Sequence, residues 1–205
     1  MLLTQKLAAN LSFKGRESDL LLQMYEKGEE ISLLDPGVWQ VYRGTVQLSR
    51  ISQDGKEIIV GWATINSAFG NWVEEFNSYR AVALSDVYLK WYSLKEVEKN
   101  YALARHLLAQ FSDRSMETTQ LLAINAIRKV EDRLWQILLM LGQTMGQDCP
   151  MGTRLSLRFT HKHLAQIIST TRVTVTRLLG NFCDRGWIEI DLDRHIIIKG
   201  NSSAS

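Results

Sequence analysis

Residues 160–186, THKHLAQIISTTRVTVTRLLGNFCDRG, decide the fold of the C-terminal part of this chain. Apolar residues recur there at three- and four-residue spacing in two short runs, which predicts two helices that meet at a tight turn. The runs are Leu164, Ile167 and Ile168, then Val175, Leu178, Leu179 and Phe182. Thr160 is suited to cap the first helix and Thr170 or Thr171 the second, because a hydroxyl accepts from the free N–H groups of a first turn.

The polar face of the second predicted helix is made of hydroxyl and guanidinium groups, without Glu or Lys. Arginine matches the O6 and N7 edge of guanine, threonine suits phosphates, and valine offers apolar contact to a thymine methyl. This composition predicts a DNA-binding helix-turn-helix rather than a hairpin with ordinary solvated charges. We expect contacts to double-stranded DNA from Thr160, His161, Lys162, Thr171, Arg172, Val173, Thr174, Thr176 and Arg177.

Charge is unevenly distributed along a chain that is nearly neutral, with 24 basic and 22 acidic residues among 205. Between residues 154 and 185 a single acid, Asp184, faces six cations: Arg154, Arg158, Lys162, Arg172, Arg177 and Arg185. A local basic field of this kind favours phosphate.

Cysteine usage and hydropathy indicate the compartment. Cys149 and Cys183 match neither a metal spacing nor a disulfide framework, so we expect free thiols, with Cys183 in the core, and no metal site. The chain shows no apolar run of membrane-spanning length and no signal-peptide layout, which predicts a soluble cytoplasmic protein with no membrane partner.

The first part of the chain, residues 1–92, is predicted to be a β-rich domain. After mixed helical periodicity in residues 1–26, the runs VWQVY, TVQLSRI, EIIVGWATI and RAVAL read as short strands, and QDGK as a hairpin turn. Evenly spaced short strands are typical of a small antiparallel barrel or jelly roll. The region is short for eight strands, so a shortened domain is expected.

Helices follow in residues 93–145. Ser93 and Glu96 form the capping box SLKE, and we expect one helix over residues 101–127 and another over 129–145. Residues 93–128 are assigned to dimerisation. Heptad spacing places on one face Leu103, Leu107, Gln110, Arg114, Glu117, Leu121 and Ile124. This face predicts a homodimer through residues 101–127, in which the polar middle either sets the register or lets Arg114 contact an anionic effector.

The remaining chain, residues 129–200, is predicted to be a winged helix-turn-helix, followed by a tail at 201–205. The stretch GQDCPMGT is turn-rich and reads as a link. WIEI, DLDR and HIIIK predict a two-stranded wing, in which Arg194 and His195 either touch phosphate or lie in a solvated turn. The expected fold class is therefore α+β.

The run TRVTVTRLLG resembles the helix-turn-helix of the Crp–Fnr transcription factors, the cyclic-AMP-receptor and fumarate–nitrate-regulator family, and in particular the cyanobacterial and plastid global nitrogen regulators. The resemblance extends from about Lys27 to Lys199. It implies an N-terminal sensor domain and a homodimer that reads a palindromic promoter element with GTA-like half-sites. RNA polymerase or a coactivator is a further expected partner.

Two other classes of function are alternatives to a homodimeric regulator. One is a partner-dependent DNA-binding protein whose degenerate sensor domain docks a coactivator. The other is an enzyme, which we do not expect, because the sequence shows no catalytic triad, phosphate loop or H-E-x-x-H motif.

The resemblance argues against cyclic AMP as the effector. Relatives that bind it use a Gly-Glu pair for the ribose and an Arg-Ser/Thr-Ala run for the phosphate. Here Asn71 follows Gly70, and Glu74 and Glu75 would repel a phosphate. The N-terminal cysteine set of iron–sulfur relatives is also missing, so no resident cofactor is expected.

For 2-oxoglutarate the resemblance is mixed. Nitrogen regulators bind it through backbone groups after a Phe-Gly, an arginine in the following loop, and an arginine and a glutamate on the dimer helix. The loop arginine is replaced by Asn77, so Arg80 would have to turn inward, and Thr119 stands at the glutamate position. An impaired site and an effector-independent sensor are both open. The candidate effector residues are Phe69, Gly70, Asn71, Trp72, Arg80 and Arg114.

Overall fold

The computed structural model describes residues 22–33, 35–71 and 79–199. The chain divides into two compact units, with the boundary between Glu117 and Thr118. The predicted helical periodicity of the first residues, the side chain of Trp72 and the predicted tail lie outside the described residues.

Eight strands form two four-stranded antiparallel sheets in the described part of the first unit. They are Gln23–Tyr25 (β1), Glu30–Ile31 (β2), Gly37–Arg43 (β3), Val46–Ile51 (β4), Glu57–Ala63 (β5), Ala68–Asn71 (β6), Tyr79–Ala83 (β7) and Val87–Ser93 (β8). One sheet has the order β1-β8-β3-β6 and the other β2-β7-β4-β5. This is the strand order of a jelly roll, with two facing sheets rather than a closed barrel.

The expectation that eight strands would not fit was wrong. The sequence runs located β3, β4, β5 and β7, whereas β1 and β2 are only three and two residues long, too short for a periodic signal. Strand β8 was not predicted, although it shows the two-residue alternation of a half-buried strand: Val87 and Leu89 are buried while Tyr88 and Lys90 are half-buried.

The inner faces of the two sheets form one hydrophobic core. Trp39, Phe69 and Leu89 come from one sheet, and Leu48 and Ala81 come from the other. On the opposite face of the first sheet, Val38, Ala68 and Tyr92 pack against residues of the helices that follow, so part of that face is buried as well.

Three helices follow the sandwich: Leu94–Lys99 (α1), Tyr101–Asn125 (α2) and Val130–Met145 (α3). The predicted capping box is confirmed, since Ser93 accepts from the N–H of Glu96 and the Glu96 carboxylate accepts from the N–H of Ser93. It begins the short α1 rather than the long helix. Helix α2 ends two residues before the predicted position.

The predicted heptad face of α2 is not a free seam. Leu107 is fully buried in a cluster with Val38, Ala68, Tyr92 and Val97. The β-sandwich of the same unit therefore covers this part of the face, so the prediction that Leu107 lies in a dimer interface was wrong.

The second unit combines α3 with helices His161–Ile167 (α4) and Arg172–Asp184 (α5) and one antiparallel sheet. The strands are Gly146–Cys149 (β9), Gly152–Leu155 (β10), Ile188–Ile190 (β11) and Ile196–Lys199 (β12), in the order β11-β12-β10-β9. The predicted wing is thus β11 and β12. GQDCPMGT does not form a simple link: it makes a hairpin whose Thr153 and Arg154 pair with Ile198 and Ile197.

Within these described ranges, no helix has both the length and the hydropathy that a membrane crossing requires.

Candidate nucleic-acid interface

The helix-turn-helix begins both of its helices with a threonine cap. Thr160 Oγ1 accepts from the N–H of His163 at 3.1 Å, and Thr171 Oγ1 accepts from the N–H of Thr174 at 3.2 Å. The alternative cap Thr170 instead lies in the turn, where its N–H donates to Ala165 O at 2.9 Å. Each cap contributes about 1 kcal/mol, because it satisfies a donor that the helix leaves open.

Burial of one face of each helix determines which side chains are presented to solvent. The apolar residues predicted for the two helices are all buried, at Leu164, Ile167, Ile168, Val175, Leu178, Leu179 and Phe182. Full burial of such a side chain stabilises the fold by about 1.5–3 kcal/mol. The polar face of α5 is therefore held outward by the packing of the opposite face.

The outward face of α5 has two kinds of side chain: some project into solvent, and others form hydrogen bonds within the helix-turn-helix. Arg172, Val173 and Arg177 are exposed, and Val173 is 78% exposed although it is apolar. Thr176 Oγ1 donates to Arg172 O at 2.9 Å and lies 2.7 Å from His161 Nδ1. The hydroxyls of Thr171 and Thr174 are 2.9 Å apart. The threonines thus hydrogen-bond within the motif, while the two arginines and Val173 project from it.

A cationic cavity of about 580 Å³ lies between the helix-turn-helix and the wing. Its floor is apolar, with Phe159, Leu179, Ile190 and Ile196. Its polar lining is Arg158, Thr160, His161, Lys162, Arg172 and Arg194. No acid is among the described residues that line it, so the cavity is suited to phosphate.

Two of the six cations predicted to form the basic field do not join it. Arg154 Nε lies 2.6 Å from Asp191 Oδ2, and Arg185 Nη1 lies 2.7 Å from Glu131 Oε1. The Arg185 guanidinium also lies over the Trp187 ring at 5.2 Å. Their charges are neutralised by acids outside residues 154–185, so the prediction that these two cations belong to the basic field was wrong.

Hydrogen bonds of Asp191 and His195 hold the wing turn in place. Asp191 Oδ1 accepts from the N–H of His195 at 2.7 Å, and His195 Nδ1–H donates to Leu155 O at 2.7 Å. Burial opposes ionisation of Asp191, but hydrogen bonds from His195 and Arg154 outweigh it and hold the pKa of this carboxyl below its ordinary value. His195 is therefore engaged inside the wing. Arg194, at a positive φ of 63°, borders the cavity.

The DNA-contact residues predicted from sequence did not include Phe159 or Arg158, although Arg158 belongs to the predicted basic field, and they left the role of Arg194 open. Arg158 comes two residues before the cap Thr160, and such a cation ahead of a helix-turn-helix was a usable signal. Arg194 becomes part of the same cavity only in the folded domain, where the wing turn and the start of α4 both border it.

Part of the candidate effector site is brought together on β6. Arg114 Nη1 donates to Ala68 O at 3.2 Å, next to Phe69, Gly70 and Asn71 in the chain. Phe69 is fully buried in the core. A Cβ at Gly70 would overlap the carbonyl oxygen of Gly37, so close packing of β6 on β3 already requires this glycine. The Phe-Gly pair therefore has a structural reason that is independent of any ligand.

Arg80 does not turn toward that site, as the sequence reading required. Its guanidinium pairs with Glu30 at 3.0 Å and Glu57 at 3.8 Å. Its neighbours Ala81 and Ala83 face the core, so Arg80 projects from the opposite face of the sheet. Of the two arginines considered for a dicarboxylate, only Arg114 lies beside β6.

Comparison with known proteins identifies the family. Residues 132–200 match the Crp-like helix-turn-helix domain. The chain is 32% identical over 184 residues to the global nitrogen regulator of Nostoc sp., covering 83% of this chain and 82% of that protein. It is 34% identical over 164 residues to the global nitrogen regulator of Synechocystis sp., covering 75% and 72%.

A relative from Mycobacterium tuberculosis, 24% identical over 171 residues (77% of this chain and 74% of that protein), is named a CRP-like cAMP-activated global transcriptional regulator. Among solved structures, a CRP-family transcriptional regulator from Thermus thermophilus superposes with a TM-score of 0.73 at 16% identity, covering 87% of this chain and 92% of that one. This likeness supports the fold, and the sequence relatives support the function. The chain belongs to the Crp–Fnr family of DNA-binding transcription regulators, with cyanobacterial global nitrogen regulators among its relatives.

Proposed function

We propose that this protein binds, as a homodimer, a palindromic promoter element with GTA-like half-sites. The observation that carries the proposal is the exposed set Arg172, Val173 and Arg177 on α5, beside a cationic cavity. In a two-fold dimer, two such helices about 34 Å apart enter successive turns of the major groove.

Base reading is assigned to exposed side chains of α5 that form no hydrogen bond or ion pair with the other residues that the structure describes. Arg172 and Arg177 are five positions apart, so they diverge by about 140° around the helix and reach different bases, or one base and a phosphate. Val173 contacts a thymine methyl, the apolar group of the major groove. The remaining polar residues position the helices and contact the DNA backbone. They are Thr160, Lys162, Thr171, Thr174 and Thr176.

The dimer seam is assigned to the exposed face of α2, not to the face that contains Leu107. Tyr101, Leu108 and Leu122 are large apolar residues at multiples of seven positions, and they are 81%, 67% and 72% exposed. Exposed residues at the intervening heptad positions are Arg105, Ser112, Ser115 and Thr119. Three of these four residues, Ser112, Ser115 and Thr119, are small and let two helices approach closely while burying Leu108 and Leu122.

We assign the regulated genes to nitrogen metabolism, because the cyanobacterial relatives are named global nitrogen regulators. If 2-oxoglutarate binds, Arg114 beside β6 is its cation among the described candidates, and the missing contribution of Arg80 weakens the site. On the promoter the dimer acts through RNA polymerase, directly or through a coactivator.

Selection of bound duplexes from random DNA by the purified protein tests this function, with and without 2-oxoglutarate. We expect one enriched palindrome with GTA-like halves from the pure dimer. Failure to enrich any palindrome without an added partner would contradict the proposal and support the partner-dependent alternative. Arg185→Ala, whose cation already pairs with Glu131, is the matched control and should select the same sequence.

A further inference from the structure

The connection between α2 and α3 is formed by residues 126–129 and contains neither glycine nor proline. These are the residues that most often fix the backbone of a turn. The start of α3 also lacks a side-chain cap, because Lys129 at the cap position forms no such hydrogen bond. The angle between the two helices therefore depends on contacts from other side chains.

Arg133, near the start of α3, makes such a contact. Its Nη1 donates to Ile127 O at 3.1 Å and, more weakly, to Asn125 O at 3.5 Å. These carbonyls lie at the end of α2 and just beyond it, where a helix leaves its last carbonyl groups without partners. A cation at this end also interacts favourably with the helix dipole. One guanidinium thus joins the end of α2 to α3.

The arrangement around Arg133 costs stability. Arg133 Nε and Asn125 Oδ1 are both buried, and neither has a hydrogen-bond partner among the described residues. A buried polar atom without a partner destabilises the folded state, and the cost is larger for a charged group. What the guanidinium contributes is geometry, because its planar fork holds the donors in fixed directions.

Helix α3 connects this contact to the recognition helix α5. The Trp135 ring on α3 contacts Phe182 of α5 with centroids 5.6 Å apart, and Trp187 with centroids 5.0 Å apart. Phe182 is fully buried, so α3 and α5 share one packed core. The angle between α2 and α3 therefore sets the direction of α5 relative to the last turns of α2, which include Leu122 of the proposed seam.

We propose that Arg133 is the positioning residue that sets the half-site spacing that the dimer accepts. In a two-fold dimer, the separation of the recognition helices depends on how each DNA-binding unit is held on α2, and the spacing of the half-sites must match that separation. The inference rests on the proposed homodimeric function. It adds the side chain that restricts the dimer to one operator length.

Binding of the full-length protein to a series of duplexes tests the proposal. The series consists of the selected palindrome, versions with one base pair inserted or removed at its centre, and a duplex with a single half-site. Wild type should lose about tenfold in affinity or more when the spacing changes, because the second recognition helix then misses its bases.

Arg133→Met removes the guanidinium and keeps an unbranched side chain. Only a fraction of its molecules should hold the competent angle, so affinity at the preferred spacing should fall about tenfold. Affinity should then vary little across the spacing series. For the single half-site it should equal that of wild type, because neither α5 nor the cavity is altered.

Two further variants separate geometry from charge. Arg128→Met is the matched control: Arg128 is exposed in the same connection, so its loss removes an equal charge and should leave the spacing profile of wild type. Arg133→Lys keeps the charge but lacks the planar fork, so it should restore only part of the preference. The melting temperature of each variant verifies that it is folded.

A measurement without DNA separates this inference from the operator function. Spin labels at Gln120→Cys on α2 and Gln136→Cys on α3, both exposed positions, report the distance across the connection. Cys149→Ser and Cys183→Ser remove the native thiols, and an excess of unlabelled protein limits the signal to distances within one chain. The distance distribution should broaden in Arg133→Met.

A spacing profile in Arg133→Met as sharp as that of wild type, or an unchanged distance distribution, would overturn the proposal. An equal loss of affinity for the single half-site would also overturn it, because a positioning role leaves that affinity intact. Absence of any palindrome from the selection would contradict the proposed function instead. The distance measurement would still decide whether Arg133 holds the connection.

Discussion

The Nε atom of Arg154 on β10 lies 2.6 Å from the Oδ2 atom of Asp191 at the end of β11. The two residues are 37 positions apart in the chain, and their pairing ties the wing turn to the strand that precedes the helix-turn-helix. The same carboxylate accepts from the backbone of His195. Arg194 is thereby held at the border of the cationic cavity.

Asp191→Asn should therefore weaken DNA binding without changing sequence preference. The amide cannot form the ion pair with Arg154, so the wing loosens and Arg194 is less well positioned. We expect a several-fold loss of affinity for operator and unrelated duplexes alike, measured by fluorescence anisotropy. Asp193→Asn is the control: Asp193 is 82% exposed and lies 3.6 Å from Arg154, and its removal should change affinity little.

The same variant should alter the acid limb of stability. The pKa of Asp191 is lowered in the folded protein, so its contribution is present above the ordinary aspartate range and is lost as pH falls through the folded value. As pH falls below about 4, the melting temperature of the wild type should decrease more steeply than that of Asp191→Asn. Parallel acid limbs for the two proteins would show that the ion pair adds no stability.

Leu107→Ala should destabilise the protein by about 2–5 kcal/mol, the usual cost of a cavity at a fully buried leucine. The side chain packs against Val38, Ala68, Tyr92 and Val97, so the loss falls on the first unit. Chemical denaturation at a fixed protomer concentration measures the free energy of unfolding. The oligomeric state of the folded protein should remain that of wild type.

Leu108→Asp combined with Leu122→Asp should produce folded monomers. Both side chains are exposed on α2, so the charges leave each unit intact but oppose a helix–helix seam. Sedimentation velocity should show the monomer. The affinity of the variant for a palindromic duplex should fall to its affinity for a duplex that contains one half-site. A dimer that persisted in the double variant would reject this face of α2 as the interface.

Arg172→Ala should cost about 1–3 kcal/mol of operator affinity and relax the preference at one half-site position. The guanidinium is exposed on the first turn of α5 and forms no ion pair with the other described residues. Binding to a panel of single-base operator variants measures the effect. An equal loss for every sequence would make Arg172 a phosphate ligand instead.

Calorimetry with 2-oxoglutarate should separate the two candidate arginines. Any binding by wild type should disappear in Arg114→Ala, because Arg114 is the candidate cation beside β6. Arg80→Gln should bind as wild type does, since Arg80 pairs with Glu30 and Glu57 on the outer sheet face. Cyclic AMP should produce no heat with any of the three proteins.

The sequence alone determined the local features of this protein. The helices of the DNA-binding motif, their buried stripes and the Thr160 cap follow from spacing and cap chemistry within a few residues, so α4 and α5 were predicted closely. Four of the longer strands of the sandwich were found for the same reason, but β6 and the seven-residue β8 were missed. Strands of two or three residues, such as β2 and β1, contain too few residues to show a period.

Tertiary structure alone decided which of these features are available for function. Heptad spacing predicted a seam on the face of α2 that contains Leu107, but contact with the β-sandwich buries Leu107 while Leu108 stays exposed. Basic residues close in sequence predicted one field, yet Asp191 neutralises Arg154 and Glu131 neutralises Arg185 from 37 and 54 positions away. Burial and ion pairing depend on what lies across space, and local spacing contains no information about that partner.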